Sequence, residues 1–383
     1  MNQPSRIRPL QSLNRIDCIV GARPNFMKVA PILREIRCRA GFHARLIHTG
    51  QHFSPEMSDT FFRELELPEP DFNLGVGGGT ATAQTSEIMR RLEPVFTENR
   101  TDLVLVVGDV NSTMAAAVVA TQLGIPVAHV EAGLRSFDRR MPEENNRIIT
   151  DAISSFHFVS EPSGAVNLQA EGVPESTIFS VGNVMIDTLL RFREKAAKST
   201  ILELLGVQAR SYAVVTLHRP SNVDDPARLR SIYNSLEELS GDLPIVFPVH
   251  PRTRARLGET KPIPGLKLIS PLGYLDFLRL MSEARLVLTD SGGIQEETTV
   301  LQVPCLTLRE NTERPITVEE GTNRLIGAEP AAILPAAHEI LANGAIHGKI
   351  PALWDGHASE RILDALEGCL APNSTIQFGR RHA

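Results

Sequence analysis

Metal-binding spacing is missing from this 383-residue chain. Its four cysteines, Cys18, Cys38, Cys305 and Cys369, stand singly, with no CxxC pair and no histidine cluster beside them. That excludes a zinc ribbon and leaves no readable disulfide framework, so no metal is expected. A reducing cytoplasm suits such unpaired thiols. Long apolar runs are lacking as well. The first one, IDCIVG, has the length of a strand and follows a polar, basic stretch, MNQPSRIRPLQSLNR, which lacks the apolar run of a signal peptide; residues 1–13 read as a frayed extension. We therefore expect a cytoplasmic protein with no membrane insertion. Nor is there a basic excess: 39 Lys and Arg against 45 Asp and Glu give a net charge of −6, which removes the positive footprint of a nucleic-acid binder. Neither a GxGxxG fingerprint nor a Walker GKS is found, so no nicotinamide or other cofactor is implied.

What is there is a rhythm. Short β-branched runs alternate with helical stretches, the pattern of parallel α/β units. The runs are IDCIV (16–20), ARLIHTG (44–50), LVLVVG (103–108), IPVAHV (125–130), FHFVS (156–160) and TIFSVG (177–182), then YAVVTL (212–217), IVFPVH (245–250), LKLIS (266–270), RLVLTD (285–290) and VPCLTLRE (303–310). Between the two series, near residues 183–210, the sequence is charged and helical without a strand. The length also favours two domains. The expected architecture is α/β, with two Rossmann-like, doubly wound domains: residues 14–190, and residues 191–358.

In open α/β sheets ligands sit beyond the carboxyl ends of the strands. Here those ends carry GARPNFMK, TGQHFSPE, GDVNST, EAGLRSFDRRMPEE, LHRPSN, TDSGGIQEE and RENTERP. Loops that merely close a fold do not need Arg23, Lys28, His218, Arg219 and Arg314. Two such rims facing each other would make a cleft with cationic and acidic walls.

In TDSGGIQEE, Ser291, Gly292 and Gly293 open a helix, where close backbone approach and free N–H groups favour a phosphate. Glu296 or Glu297, one turn on, could accept sugar hydroxyls. The bland alternative is a Ser-capped helix with acids on its dipole. In GARPNFMKVAP, Arg23 and Lys28 straddle a loop–helix junction. Cations there are electrostatically unfavourable, which suggests a bound anion. Three acids end strands or start helices: Asp109, Glu131 and Glu143. Asp109 could simply cap the next helix, and Glu143 follows Pro142 in a first turn where acids are ordinary. Adjacent helix positions lie about 100° apart, so at most one of Glu143 and Glu144 should face a cleft. Glu131, continuing the apolar strand IPVAHV, has the poorest bland explanation. Crowded, desolvated carboxylates acquire raised pKa values that suit proton transfer near neutrality. Gln51, His52 and Arg135 are expected to contact the ligand, as is His218, while His129, inside a strand, reads as core.

Taken in order, GARPNFMKVAP, TGQHFSPEM, GDVNST, HVEAGLRSFDRRMPEENNR, VGNVMIDTL, TLHRPSN, TDSGGIQEE and TERP resemble the non-hydrolysing UDP-N-acetylglucosamine 2-epimerases. The likeness runs from about residue 16 to 327. It implies the glycosyltransferase-B architecture, with a C-terminal helix (about 359–372) returning to the first domain, and commonly a homodimer. It also implies reversible inversion at C2 of a UDP-sugar, by elimination of UDP and re-addition. Arg23, Lys28 and His218 would stabilise the departing diphosphate, and Asp109, Glu131 and Glu143 would move the C2 proton. Ser291 and Gly293 would bind phosphate, Glu297 the ribose, Phe277 would lie near the uracil, and Arg314 would be a further site residue. The chain departs from the pattern at Asn25, where many members carry an acid, and in QHFSP and HRPSN, where regulated members read QHR and HRREN. Rival readings are a hydrolysing 2-epimerase, a 2-epimerase of a related UDP-diacetamido sugar, a glycosyltransferase of this fold and a non-catalytic UDP-sugar sensor.

Overall fold

The computed structural model describes residues 15–51, 55–258, 261–327, 329–344 and 348–370. Contacts divide the chain into two units. One holds the chain through Thr188 and resumes at Leu353; the other is Leu189–Ala352.

The first unit is built on a parallel sheet of β1 (Arg15–Val20), β2 (His43–His48), β3 (Phe72–Asn73), β4 (Leu103–Val107), β5 (Val127–Val130), β6 (Phe156–Val159) and β7 (Ile178–Ser180). Their spatial order is β3-β2-β1-β4-β5-β6-β7. Every residue of β4, LVLVV, is buried, as a strand covered by helices on both faces requires. The second unit repeats the plan with β8 (Ala213–Thr216), β9 (Ile245–Pro248), β10 (Leu266–Ile269), β11 (Leu286–Thr289), β12 (Cys305–Thr307) and β13 (Asn323–Leu325), in the order β10-β9-β8-β11-β12-β13. Both are doubly wound Rossmann-like sheets. The edge strands β3 and β13 have no counterpart among the runs read from sequence, because two or three residues at a sheet edge carry no readable alternation.

The helix Arg23–Cys38 buries Phe26, Val29, Ile32, Leu33 and Ile36 at helical spacing. Pro31 lies inside it and has no N–H to give the Met27 carbonyl. The Thr188 hydroxyl donates to that carbonyl instead, at 2.6 Å, so the gap in the ladder is filled from a distant helix. That second helix, Val184–Ala196, contains the division between the units. The helix Ala358–Leu370 packs on Arg23–Cys38. Its first N–H groups, of Ala358 and Ser359, donate to the Asp187 carboxylate at 3.0 and 2.7 Å, a cap supplied from elsewhere in the chain. Arg39 adds ion pairs to Asp364 and Glu367, and the buried Trp354 donates its indole N–H to the Ser160 carbonyl at 2.9 Å. Among the described residues, no helix is long and apolar enough to cross a membrane.

Candidate active site

Each sheet reverses its winding at one place: between β1 and β4 in the first unit, and between β8 and β11 in the second. Such switch points leave a crevice at the strands' carboxyl ends, where ligands bind. Many of the residues singled out from sequence lie at these two places.

In the first unit, Asn25 ties the crevice together. Its Oδ1 accepts from the backbone N–H groups of Gly21 and Ala22, each at 3.1 Å, and its Nδ2 donates to the Val107 carbonyl at 3.0 Å. Only an amide both accepts and donates in this way; a carboxylate would meet the carbonyl without a proton to offer. One turn on, the buried Lys28 forms an ion pair with the buried Glu131. Glu131 leaves β5 with φ of 70°, a left-handed conformation that a non-glycine residue adopts at a cost, and such strain collects at functional sites. Gly108, with φ of 69°, lies beneath this pair. A Cβ there would stand 3.0 Å from Lys28 Nζ and 3.6 Å from Glu131 Oε2.

Asp109 follows Gly108. It does not cap the next helix, Asn111–Gln122, whose N-cap is Val110 without a side-chain bond. Its carboxylate pairs instead with the buried Arg147. Arg147 also holds Glu144, which accepts from Ser136 N and Phe137 N at 2.9 Å each. Burial pushes the Glu144 carboxyl up, but the Ser136 N–H and the Arg147 guanidinium outweigh it and leave it below the usual range. Glu144 therefore folds the loop 134–141 back on the helix Pro142–Ile153. Glu143, one position round, is half-buried and has no hydrogen-bond or ion-pair partner among the described residues.

Not every expected contact is brought to the crevice. Arg135 is turned inward: its guanidinium lies 2.7 Å from Asp151 and 2.6 Å from Glu171, with its side chain 1% exposed. Both faces of its fork are committed to these two carboxylates. Arg23 and Lys28 do not share a partner; Arg23 stacks on the Phe61 ring at 4.3 Å, and burial holds its pKa below the ordinary value. Gln51 accepts from Ser112 N and Oγ at 3.0 and 2.7 Å. His52 lies outside the described residues.

In the second unit, His218 and Asp290 meet across the switch point. Asp290, fully buried, accepts from the backbone N–H groups of His218 and Arg219 and from Asn222 Nδ2. Its Oδ1 is 2.9 Å from Nδ1 of the His218 ring, which is half-exposed. Burial raises the Asp290 carboxyl, yet His218 and the Arg219 N–H more than offset it, so its pKa lies below the ordinary value. Asp290 is the residue that sequence reasoning passed over. An acid at a strand end reads as a loop former, and its partner stands 72 positions away.

Ser291 is the N-cap of the helix Gly292–Leu301, yet its side chain makes no capping bond and the first turn holds no acid. The capped-helix alternative is therefore not what the chain builds; the helix start keeps its donors. Arg314 lies over it. A Cβ on Gly292 would come within 2.7 Å of Arg314 Nη1, and Arg314 Nε donates to the buried Glu296 at 2.7 Å. Gly293, half-buried, is the next residue of that turn. Glu297 is buried, and desolvation lifts its pKa to about 8. The Tyr274 hydroxyl donates to it over 3.3 Å. Phe277, half-buried, lies three residues along the same helix, Tyr274–Ser282, and so on the same face as Tyr274. Among the described residues, no group of His, Cys, Asp and Glu side chains could hold a metal ion.

These two switch-point sites can be set beside known proteins. A family model described as UDP-N-acetylglucosamine 2-epimerase matches residues 34–367. The UDP-N-acetylglucosamine 2-epimerase of Methanocaldococcus jannaschii is 43% identical over 363 residues, covering 92% of this chain and 98% of its own. A crystal structure of that enzyme in complex with UDP-GlcNAc and UDP aligns with a TM-score of 0.86, over 92% of this chain and 99% of that one. The UDP-2,3-diacetamido-2,3-dideoxy-D-glucuronate 2-epimerase of Pseudomonas aeruginosa is 39% identical over 365 residues, covering 92% and 99%. Matched along most of its length by the model and nearly end to end by these relatives, the chain belongs to the UDP-N-acetylglucosamine 2-epimerase family.

Proposed function

We propose that the protein interconverts UDP-N-acetylglucosamine and UDP-N-acetylmannosamine by eliminating UDP and adding it back. The observation that carries this reading is the set of acids around Gly108 and Asp109: a strained, lysine-paired Glu131, an arginine-paired Asp109 and a Glu143 with no partner among the described residues. A binding module would need none of them.

The C2 proton of such a sugar is not acidic, so its removal must accompany departure of the leaving group. One carboxylate takes the C2 proton as the C1–O bond breaks, leaving a 2-acetamidoglucal and UDP. The UDP oxygen then re-forms the bond to C1 while a second acid returns a proton to the opposite face of C2. Asp109, Glu131 and Glu143 are the acids we assign to this exchange. Lys28 and Arg23 balance charge as the diphosphate departs, and His218, held by Asp290, serves the same end. Ser291, Gly292 and Gly293 offer the helix start to phosphate, with Arg314 beside them. Glu297 accepts the ribose hydroxyls, Phe277 packs near the base, and Gln51 contacts the substrate. We further propose a cytoplasmic homodimer that feeds polysaccharide biosynthesis.

A second reading, epimerisation of a UDP-diacetamido uronic acid, draws support from the similarity to the Pseudomonas aeruginosa protein. Incubation in heavy water with each UDP-sugar, followed by NMR, separates the possibilities. Deuterium at C2 together with UDP-N-acetylmannosamine supports the first reading. Exchange only with the diacetamido uronic acid supports the second. Free N-acetylmannosamine with stoichiometric UDP means hydrolysis, and no exchange with either sugar would remove both readings.

A further inference from the structure

His129 lies in β5, fully buried, two residues before Glu131. Its side chain has a partner on each nitrogen. Nδ1 is 2.6 Å from Asp151 Oδ1, and Nε2 is 2.9 Å from the Gly108 carbonyl oxygen. A carbonyl oxygen only accepts, so Nε2 carries a proton. At the other nitrogen, Asp151 is an ionised acceptor: it also takes hydrogen bonds from Arg135 and from Gly133 N, and its pKa lies below the ordinary value, His129 and Arg135 outweighing the effect of burial. Nδ1 must therefore donate as well. A neutral ring satisfies one of these contacts and sets a lone pair against the other; an imidazolium satisfies both.

The charged groups around the ring close the balance. Asp151 faces it from the helix Pro142–Ile153 and Arg135 joins Asp151 from the loop after β5, with Glu171 behind Arg135. On the neighbouring strand β6, His157 is in register with His129; its Nε2 donates to the Asp151 carbonyl at 2.8 Å, its Nδ1 lies 3.3 Å from both the Thr177 hydroxyl and the Thr177 carbonyl, so the hydroxyl can serve it as donor, and burial lowers its pKa. With His157 neutral, two cations, His129 and Arg135, stand against two anions, Asp151 and Glu171.

What the ring holds matters more than its charge. Gly108 still donates its N–H to the Val130 carbonyl, as the sheet requires. Its left-handed turn then swings its own carbonyl out of the ladder, and His129 takes it up. The peptide so fixed is the one from which Asp109 departs, and it lies beneath the Lys28–Glu131 pair. We propose that His129 is a positioning residue for the epimerisation: a buried imidazolium, bridging Asp151 and the Gly108 carbonyl, that sets the place of Asp109 relative to Glu131. The kinetic part of this proposal rests on the epimerase reading given above; the protonation state does not.

The test has two arms. In wild-type protein labelled with 15N-histidine, long-range proton–nitrogen correlation at pH 7 should show the His129 ring with both nitrogens protonated, its peaks assigned in the wild type by through-space contacts to neighbouring β5 and Gly108 protons. A bare ring nitrogen at that pH overturns the proposal. The second arm compares C2 deuterium exchange in wild type, His129→Gln and Asp151→Asn, with UDP titration as the control for folding. We expect kcat to fall about 100-fold in both variants with KM and UDP affinity unchanged, as displacement of a reacting group by an ångström does. Folded variants with wild-type kcat, or a loss that appears in KM alone, overturn it. If neither variant folds, the ring's protonation in the wild type decides. A wild type that shows the imidazolium but no exchange would instead count against the epimerase reading.

Discussion

His218 Nδ1 lies 2.9 Å from Asp290 Oδ1 across the β8/β11 switch point, and the same carboxylate receives the backbone N–H of His218 itself. Ring and main chain are thus held by one buried acid, which leaves the half-exposed Nε2 edge of the imidazole to act. Asp290→Asn should lower kcat for C2 exchange and destabilise the protein by roughly 3 kcal/mol, the scale for breaking a buried charge network. Because the Asp290 pKa is lowered by folding, its contribution is present above the unfolded value near pH 4 and is lost as pH falls below it. Acid unfolding curves of the two proteins should therefore converge at low pH.

Glu297 titrates in the opposite sense. Its pKa is raised to about 8, so the stability it contributes is full below its unfolded value of 4.5 and is lost as pH rises through 8. Ribose hydroxyls would donate to the ionised form. UDP should then bind more tightly at pH 9 than at pH 6.5, releasing a proton at neutral pH. Calorimetry in buffers of different ionisation enthalpy measures that release, and Glu297→Gln should abolish it.

Gly292→Ala isolates the phosphate site. The new methyl must displace the Arg314 guanidinium, which Glu296 holds in place. UDP affinity should fall about tenfold, or ~1.4 kcal/mol. Thermal stability should fall as well, since disturbing the buried Arg314–Glu296 pair outweighs alanine's better helix propensity. Isothermal titration and a melting curve on one preparation check both halves.

Glu131→Gln and Asp109→Asn should each reduce C2 deuterium exchange by about 10²–10⁴-fold, the usual loss on removing a general acid or base, while sparing UDP binding. Exchange at the wild-type rate in either variant removes that residue from the proton path.

The adjacent glutamates should separate cleanly. Glu143→Gln should slow exchange and leave the melting temperature alone. Glu144→Gln should cost roughly 1–3 kcal/mol, because its amide keeps one oxygen for Phe137 N–H but sets an NH2 group against Ser136 N–H and Arg147, which lose Oε2. Differential scanning calorimetry with the exchange assay distinguishes the two.

The alternation of strands was legible because central strands such as β4 are apolar throughout, and a run of five buried β-branched or leucine residues has few other uses. Burial of His129 was legible for the same reason. Partnership was not. The mates of Arg135, Asp151 and Glu171, are 16 and 36 positions away and nothing in the sequence marks them. Asp290 was overlooked for the same cause, although a residue joined to His218 through both ring and backbone is central to the site. Pattern reveals which face of an element is covered, whereas a salt bridge depends on which helix the fold lays across that face.

The returning helix has a consequence in time. Arg23–Cys38 is synthesised long before its packing partner Ala358–Leu370. At ribosomal speeds of 5–20 residues per second, the ~320 residues between them take roughly 15–60 s to emerge. Throughout that interval one flank of the first unit has no cover, whereas Leu189–Ala352, continuous in sequence, has all its parts once Ala352 emerges, just before the returning helix is made. The second unit is thus the one that can finish folding first, and the nascent first unit is the stage at which a chaperone would find an open surface.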